Sequence, residues 1–451
     1  MFDPVAVRRE FHHYPEAGWQ EVRTSARIAE MLEQLGVPVV LQGEEVVDLA
    51  LLATGPGIDL SEETRRAHMQ RAVAEGAKET YVEAAKGYPG VIGIIDTGRP
   101  GPTYAFRFDI DCLEYDEYDG AGSAPAEEDY YRPSAEGYRS SHAGRVHACG
   151  HDGHTAIGLA LAAKIMASLQ GEADGSAQAG ADSGAQGDYK GIIKLIFQPA
   201  EENYLGAASI VAKGHLDDVD QVMAVHLAIS AENEPLPSHS LCCGVKDFMA
   251  CRQLDVTYHG VAAHPCGAAQ EGKNALLACC SAALNLHAIA MHEKGLGRVN
   301  VGVIRGGEVT NTICPECTIC LEYRGQYREI SDYIGRRVFD ILDGTARQYD
   351  MDYTYIDYGE IPAGQSNDAL MAAVQEEAGK IPWFETIHYE GNVGGSDDAA
   401  VMINHVQDHG GLGTYIGIGC ATTGPLHNPK FDFDESALDA AAELLTRMLR
   451  R

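Results

Sequence analysis

Four short segments of the sequence carry side chains that could bind a metal ion and activate water. They are HACGHDGHTA (147–156), FQPAEE (197–202), VMAVH (222–226) and GPLHNP (424–429). Their candidate residues are Cys149, His151, Glu201, Glu202, His226 and His427. Thiolate, imidazole and carboxylate groups together form the ligand set of zinc, manganese or a similar divalent ion.

A hydrolytic metal site needs ligands, an open position for water and a base that takes a proton from that water. Two successive glutamates can supply a ligand and the base, because one carboxylate binds the ion while its neighbour in a turn faces the water. Gly150 permits an unusual backbone path, so Cys149 and His151 can reach one site. Each segment alone more often marks a packed or solvated side chain. Their joint occurrence at predicted strand ends favours a site.

The elements that must position these segments alternate between buried strands and helices. Apolar runs at 91–96, 103–108, 191–197 and 222–226 predict strands, and the spacing at 155–169 predicts a helix. This alternation predicts an α/β fold with a mostly parallel sheet that is flanked by helices. Open sheets of this kind place their sites beyond the carboxyl ends of the strands, where the four segments fall.

The pattern changes between residues 249 and 356, where the order β-α-β-β-α-β predicts an inserted α+β domain that is ferredoxin-like. We therefore expect a catalytic domain in two parts, 1–248 and 357–451, around a satellite or dimerisation domain at 249–356. Residues 60–87 have helical spacing and predict a surface insertion. The glycine-rich stretch 171–191 predicts a flexible surface loop.

The composition excludes several kinds of partner. The chain has 451 residues and a formal net charge of -32, which argues against nucleic acid and anionic membranes because both would repel it. No run of 18 apolar residues occurs and the first residues lack the apolar core of a signal peptide. We therefore expect a soluble, cytoplasmic protein whose 12 cysteines are thiols, metal ligands or nucleophiles rather than disulfides.

The four segments, together with GVAAHP and RVNVGVIRGG in the predicted insertion, resemble the aminoacylase/carboxypeptidase-type metallohydrolases, which include hippurate hydrolases. The N-terminal segment, the insertion at 45–90, FRFDIDCLE and FDFDE look most like the branch of this family that hydrolyses aminobenzoyl-glutamate. The resemblance covers nearly the whole chain, in order. It implies a zinc-exopeptidase-like catalytic domain with an inserted satellite domain.

The resemblance also implies roles for individual residues. The metal ligands would hold one or two Mn²⁺ or Zn²⁺ ions and are Cys149, His151, Glu202, His226 and His427. Glu201 would be the general base that activates water, and Asp111 would orient a ligand. In the insertion His264 would help to hold the oxyanion, while Asn311 and Arg324 would bind the amide and carboxylate of the substrate.

The activity implied is hydrolysis of the amide bond between an acyl or aroyl group and an amino acid, with p-aminobenzoyl-glutamate as the expected substrate. A hippurate-like or other N-acyl amino acid is the alternative. A non-catalytic or half-active partner in a two-subunit hydrolase, and a dipeptidase, are further hypotheses. We expect a homodimer or a heterodimer with a homologous subunit. Pro265, Cys266 and Cys314 depart from the family pattern on the substrate side.

A run of three cysteines superficially suggests an iron–sulfur or zinc site, because Cys314, Cys317 and Cys320 form C-x2-C-x2-C. A spacing of three along a strand puts successive thiols on opposite faces, so they would not converge. We therefore expect packed thiols at these positions.

Two further patterns lie close to the candidate site in the sequence. His154 follows the candidate ligands on the same helix, and we expect it to be a packed structural residue rather than a ligand. In GGSDDAA, residues 394–400, a role near the site and a helix cap formed by Asp397 and Asp398 are equally favoured.

Overall fold

A computed structural model of the chain describes residues 2–120, 122, 124–173, 189–203, 205–232 and 234–451. The chain divides into two compact units. The first comprises Met1–Thr54, Ile58–Lys246 and Gln365–Arg451, and the second comprises Gly55–Gly57 and Asp247–Gly364. Most of the loop predicted at 171–191 lies outside the described residues. In the described part of the chain, no helix combines the length and the apolar character that crossing a membrane requires.

The first unit contains the elements that carry the four segments. Its first part runs through α1 (Pro4–His13), α2 (Val22–Gln34), β1 (Val39–Gln42), α3 (Leu49–Leu52), α4 (Glu62–Ala74), α5 (Glu79–Ala84), β2 (Val91–Asp96), β3 (Thr103–Asp109), α6 (Arg132–Ala135), α7 (His151–Ala173), β4 (Ile192–Gln198), α8 (Gly206–Ala212), β5 (Gln221–Leu227), β6 (Ser230–Ala231), β7 (Glu234–Pro235) and β8 (Ser240–Cys242). The helical insertion predicted at 60–87 is confirmed as α4 and α5. Its apolar residues Ala72 and Val82 pack against Val22 and Ala26 of α2.

The second unit follows, and the chain then returns to the first. The second unit comprises β9 (Ala250–His259), α9 (Ala275–His287), β10 (Gly297–Gly306), β11 (Glu316–Gly325), α10 (Arg328–Gln348) and β12 (Asp352–Ile361). The returning part comprises α11 (Asp368–Ala378), β13 (Thr386–His388), α12 (Ala399–Asp408), β14 (Leu412–Ile418) and α13 (Ala437–Met448).

The sheet of the first unit has the strand order β1-β2-β4-β3-β5-β14-β8-β13. Its centre is parallel, because β4, β3, β5 and β14 pair in the same direction. Strands β1 and β2 are antiparallel to their neighbours, so the sheet as a whole is mixed. Strand β3 is buried along its full length. The carboxyl ends of the four central strands therefore meet at one edge, which is where a site is expected in such a sheet.

Helix α1 is anchored to the start of α7 by buried charges. Asp3 caps the helix by accepting the N–H groups of Val5 and Ala6, as the Asp-Pro start predicts. Arg8 Nε donates to Asp152 Oδ2 at 2.7 Å, and His12 Nδ1 lies 2.8 Å from the same oxygen. The N-terminal helix thus holds the residue that follows His151 in the sequence.

The second unit has the strand order β10-β11-β9-β12, with every pair antiparallel. Helices α9 and α10 contribute to one apolar core with the sheet. On β11 Cys317 belongs to this core while Cys320 is on the opposite, partly exposed face, as the spacing predicts. The boundary predicted at residue 356 falls inside β12. Strand β12 continues past an irregularity after Asp357 and pairs again with β9, so the unit extends to Gly364.

Candidate metal centre

The candidate residues of the first unit converge at the carboxyl edge of the parallel strands. Ligand atoms of Cys149, His151 and Glu202 all lie within 4.8 Å of one another. Cys149 Sγ is 3.5 Å from His226 Nε2. His427 Nε2 is 3.3 Å from Glu202 Oε1. The structure therefore brings together one thiol, one carboxylate and three imidazoles from four separate segments.

Each buried candidate histidine has one ring nitrogen fixed by the backbone. His151 Nδ1 lies 3.0 Å from the carbonyl oxygen of Asp111, and His226 Nδ1 lies 2.6 Å from the carbonyl oxygen of Leu227. A carbonyl only accepts, so Nδ1 carries a proton in both rings and Nε2 is the nitrogen left to bind a metal ion. Nε2 of His151 is buried without a hydrogen-bond partner. This arrangement is the one by which proteins orient histidines toward a metal ion.

His154 is excluded from this ligand set by its hydrogen bonds. Its Nδ1 is hydrogen-bonded to Asp109, and its Nε2 accepts the backbone N–H of Leu227 at 2.9 Å. Both ring nitrogens are thereby occupied, although the side chain lies among groups that could surround a cation. The prediction that His154 packs structurally is confirmed.

The charges of the site favour a cation. Burial opposes ionisation of the Cys149 thiol, but the neighbouring His151 and His226 hold its pKa well below the ordinary value. Hydrogen bonds with Cys149 and then Glu202 raise the pKa of His427 to about 10. Thiol, carboxylate and imidazole groups thus meet in a buried space, and a divalent ion fits this donor set.

The turn that carries the two glutamates has a constrained backbone. Ala200 has φ +54°, a left-handed conformation that costs a residue with a side chain about 1 kcal/mol or more. Its N–H donates to Oε1 of the buried Glu21 at 2.7 Å, which offsets this cost. The turn directs Glu202 toward Cys149 and His151 and leaves Glu201 on another side, among Asp397 and Asp398. The two adjacent carboxylates therefore have different surroundings, as the sequence suggested.

Glu201 is buried, and its surroundings make ionisation costly. Burial, followed by the charges of Asp397 and Glu202, raises its pKa well above the ordinary value. A carboxylate of raised pKa is a stronger base once it is ionised, and it can later return its proton. This chemistry differs from that of an ordinary solvated surface glutamate.

Known proteins resemble the chain over most of its length. A family model described as peptidase family M20/M25/M40 matches residues 105–451. An indole-3-acetyl-aspartic acid hydrolase of Enterobacter agglomerans is 38% identical over 441 residues, which cover 97% of this chain and 93% of that protein. One of the subunits of the p-aminobenzoyl-glutamate hydrolase of Escherichia coli (strain K12) is 37% identical over 442 residues, covering 98% of this chain and 93% of the relative.

The chain belongs to peptidase family M20/M25/M40. Among solved structures, an aminobenzoyl-glutamate utilization protein from Klebsiella pneumoniae matches with a TM-score of 0.75 and 33% identity, covering 99% of this chain and 94% of that one. The resemblance seen in the sequence and the predicted fold class are thereby confirmed. As a member of the M20/M25/M40 family, the chain is a metal-dependent hydrolase of amide bonds.

The remaining predicted residues of this M20/M25/M40 member lie in the second unit. His264 is exposed, and its Nδ1 accepts the N–H groups of Cys266 at 3.2 Å and Gly267 at 3.0 Å. Its Nε2 therefore carries the proton and can donate it. Asn311 is exposed, and the Arg324 guanidinium pairs with both oxygens of Glu322 at 3.0 and 3.1 Å.

A buried arginine near the site was missed by the sequence analysis. Arg107 of β3 is fully buried, and its guanidinium donates to oxygens of Gln198, Asp109, Asp397 and Asp398 at 2.5–3.1 Å. It links the ends of β3 and β4 to the start of α12, close to Glu201. An arginine inside the apolar run FRFDID was the available signal, because a buried charge requires partners.

The GGSDDAA segment fulfils both of its interpretations. Asp397 Oδ1 accepts the N–H of Ala399 at 2.7 Å at the start of α12, while its Oδ2 accepts the hydroxyl of Tyr415 at 2.6 Å. The ring of Tyr415 stacks with that of His226 at 6.0 Å between centroids. Asp397 therefore caps the start of α12, whereas the side chain of Asp398 makes no capping bond and accepts from Arg107 and Gln198.

Proposed function

We propose that this M20/M25/M40 hydrolase cleaves the amide bond between an aroyl or arylacyl group and an acidic amino acid, with p-aminobenzoyl-glutamate as the first substrate to test. The observation that carries the proposal is the convergence of Cys149, His151 and Glu202 beside the separately buried Glu201. The names of the two relatives at 37–38% identity support the substrate class, because both substrates join an aromatic acyl group to a dicarboxylic amino acid.

The proposed metal ligands are Cys149, His151, Glu202, His226 and His427, which would hold one or two ions of Mn²⁺ or Zn²⁺. When bound, such an ion polarises the amide carbonyl and lowers the pKa of water. Support comes from Nε2 of His151, which is buried without a hydrogen-bond partner. Without a cation, buried polar atoms of this kind are destabilising.

Glu201 would take a proton from the attacking water and deliver it to the leaving amine. Glu201 is adjacent in sequence to the proposed ligand Glu202, and its raised pKa suits both the uptake and the release of a proton. Arg107 forms ion pairs with Asp397 and Asp398 and holds their side chains in place. Glu201 thereby acts in a fixed electrostatic environment.

The second unit would complete the reaction. His264 would donate its Nε2–H to the oxyanion that forms when water adds to the carbonyl. Asn311 would bind the amide of the substrate, and Arg324 would bind its α-carboxylate. Arg324 would then pair with the substrate instead of with Glu322.

The assembly in which the chain works is part of the proposal. A homodimer, or a heterodimer with a homologous subunit, is supported by the Escherichia coli relative, whose name makes it one subunit of its hydrolase. A hippurate-like substrate and a half-active chain that needs a partner are the alternative functions.

The experiment is metal analysis of the purified chain together with a panel of aroyl-, acyl- and peptidyl-glutamates. We expect a bound divalent ion, release of p-aminobenzoate, and loss of activity on chelation that Mn²⁺ or Zn²⁺ reverses. Activity on hippurate alone would favour the alternative substrate. A chain that binds metal and is inactive on the whole panel would contradict the proposal, and restoration by a homologous subunit would favour the half-active chain.

A further inference from the structure

Two arginines from different parts of the first unit converge on Gln20. Arg145 donates to the side-chain oxygen of Gln20, and Arg71 of α4 donates to its backbone oxygen at 2.8 Å. Arg71 comes from the helical insertion, whereas Arg145 lies four residues before Cys149. Two guanidinium groups on one uncharged residue form a concentrated positive charge in a chain whose net charge is -32.

The carboxylate available to this pair is already engaged elsewhere. Glu16 forms a salt bridge with Arg71, but it also accepts the N–H of Thr24 at 2.8 Å and that of Arg23 at 3.3 Å at the start of α2. Within the described part of the chain, no carboxylate forms a salt bridge with Arg145. Arg145 therefore has an uncharged partner, while Arg71 shares its carboxylate with the start of α2.

Polar atoms around the pair lack partners. Nε of Arg71 and Nδ1 of His68 are buried without hydrogen bonds, and so is Nε1 of Trp19, a residue that is 4% exposed. Burial lowers the pKa of His68, and the positive charges of Arg71 and Arg145 lower it further. His68, Arg71 and Arg145 therefore lie close together. Buried polar atoms without partners, beside an arginine that has no carboxylate partner, are typical of a site that binds an anion.

This basic cluster, defined as His68, Arg71 and Arg145 around Gln20, adjoins the candidate metal centre. Glu16 accepts the N–H of Cys112 at 2.9 Å through its backbone oxygen, and the preceding Asp111 accepts the N–H of Glu202 at 3.0 Å.

The segment that carries Gln20 also packs against the glutamate turn. A Cβ on Gly18 would lie 2.0 Å from Asn203 Oδ1, so only glycine permits this close approach. Four residues of chain span at most about 14 Å, which bounds the distance from Arg145 to Cys149 between Cα atoms. The cluster and the metal centre therefore lie on neighbouring segments of the first unit.

We infer that the basic cluster, with Arg145 as its principal group, binds the side-chain carboxylate of an acidic amino acid in the substrate. This inference rests on the proposed function and deepens it, because it assigns the selection of glutamate or aspartate conjugates to residues of the first unit. The α-carboxylate remains with the second unit. Two of the three residues in the cluster, His68 and Arg71, come from the helical insertion, so this selectivity depends on α4.

The test compares kcat/KM for p-aminobenzoyl-glutamate and p-aminobenzoyl-glutamine, which differ in that one carboxylate. We expect the wild-type protein to prefer the glutamate conjugate by about 10- to 100-fold, the range of a charge-assisted hydrogen bond. Arg145→Gln should reduce this preference to about threefold or less, chiefly by weakening hydrolysis of the glutamate conjugate. Arg66→Gln, an exposed change on the same insertion helix, is the matched control and should keep the wild-type preference.

The outcomes separate this inference from the proposed function. A wild-type protein that hydrolyses neither conjugate nor any other N-acyl amino acid would overturn both. Equal hydrolysis of the two conjugates, or an Arg145→Gln variant that loses both activities in proportion, would leave the proposed function intact and overturn the anion site. If Arg145→Gln does not fold, Arg145→Lys carries the test. It keeps the charge but not the paired N–H groups, and an unchanged preference would contradict the inference.

Discussion

Asp111 accepts the backbone N–H of Glu202 through Oδ2 at 3.0 Å, and this bond connects the glutamate turn to the loop after β3. The other oxygen of the same carboxylate lies 3.3 Å from Nδ1 of His151, whose proton also faces the Asp111 carbonyl. One buried side chain thus sets the positions of two candidate ligands that come from different segments. The geometry of the centre depends on residues that bind no metal themselves.

Asp111→Asn should weaken metal binding by about 10- to 100-fold, the usual effect of losing a group that orients a ligand. Asparagine has the size of aspartate, but only one of its two terminal side-chain atoms accepts a hydrogen bond. His151 Nδ1 and the N–H of Glu202 each need an acceptor. Calorimetric titration of the chelator-treated protein with Zn²⁺ measures the change. Asp340→Asn, an exposed change in the second unit, is the control. Equal affinity in wild type and Asp111→Asn would show that His151 and Glu202 are positioned without this carboxylate.

Glu201→Gln should lower kcat by about 10²- to 10⁴-fold, because an amide cannot accept the proton of the attacking water. Metal affinity should change by less than about threefold, since the group points toward Asp397 and Asp398 rather than toward the ligands. Steady-state kinetics and metal titration on the same preparation separate the two effects. Glu376→Gln on the surface is the control. Near-normal turnover in Glu201→Gln would rule out the mechanism.

His264→Ala should lower kcat by about 10²- to 10³-fold without loss of bound metal, because it removes a donor to the oxyanion. His292→Ala is a close control, since Nδ1 of His292 also accepts a backbone N–H, that of Lys294 at 3.2 Å, in the same unit. Activity and metal content are measured for both. A His264 variant that affects only KM would assign the side chain to substrate binding instead.

The stability of the first unit should fall as the pH rises toward 10. Burial and the charge of Arg8 act to lower the pKa of His12, but hydrogen bonds with Asp152 and Glu117 outweigh them and raise it to about 9. A raised folded-state pKa means that this stabilisation is complete below about 6.5 and is lost as the pH rises through about 9. It amounts to at most roughly 3 kcal/mol.

Urea unfolding of wild type and His12→Gln between pH 6 and pH 10 measures this contribution. The wild-type protein should be the more stable of the two near pH 6, and the difference should shrink as the pH approaches 10. A difference that stays constant across this range would show that the stabilising effect of His12 does not depend on its charge.

Much of the candidate centre could be predicted because its residues cluster in short segments. Cys149 and His151 share one segment, and Glu201 and Glu202 share another, so local spacing suffices to indicate a site. Gly150 has φ +90°, the unusual path that the Cys-Gly-His spacing required. The ferredoxin-like order of the second unit could also be predicted, because its strands and helices differ clearly in period.

The features that could not be predicted from the sequence depend on contacts between distant parts of the chain. The role of Arg107 can be recognised only in the folded chain, where the ends of β3 and β4 meet the start of α12. Arg107 and its partner Asp398 are 291 residues apart in the sequence. The end of β12 was missed because the strand is polar and irregular after Asp357, so its pairing with β9 has no apolar alternation to indicate it. Gln20 and its two arginines are likewise recognisable only in three dimensions.

Helix α1 and Glu21 lie outside the range matched by the family model, which begins at residue 105. Every candidate ligand and the candidate base lie inside that range. A chain that started there would still be assigned to the family and would carry a complete set of ligands. It would lack the carboxylate that holds Ala200 in its left-handed turn and the guanidinium that holds Asp152 beside His151. Such a shortened protein would keep the signature of a hydrolase and lose the means to assemble its centre.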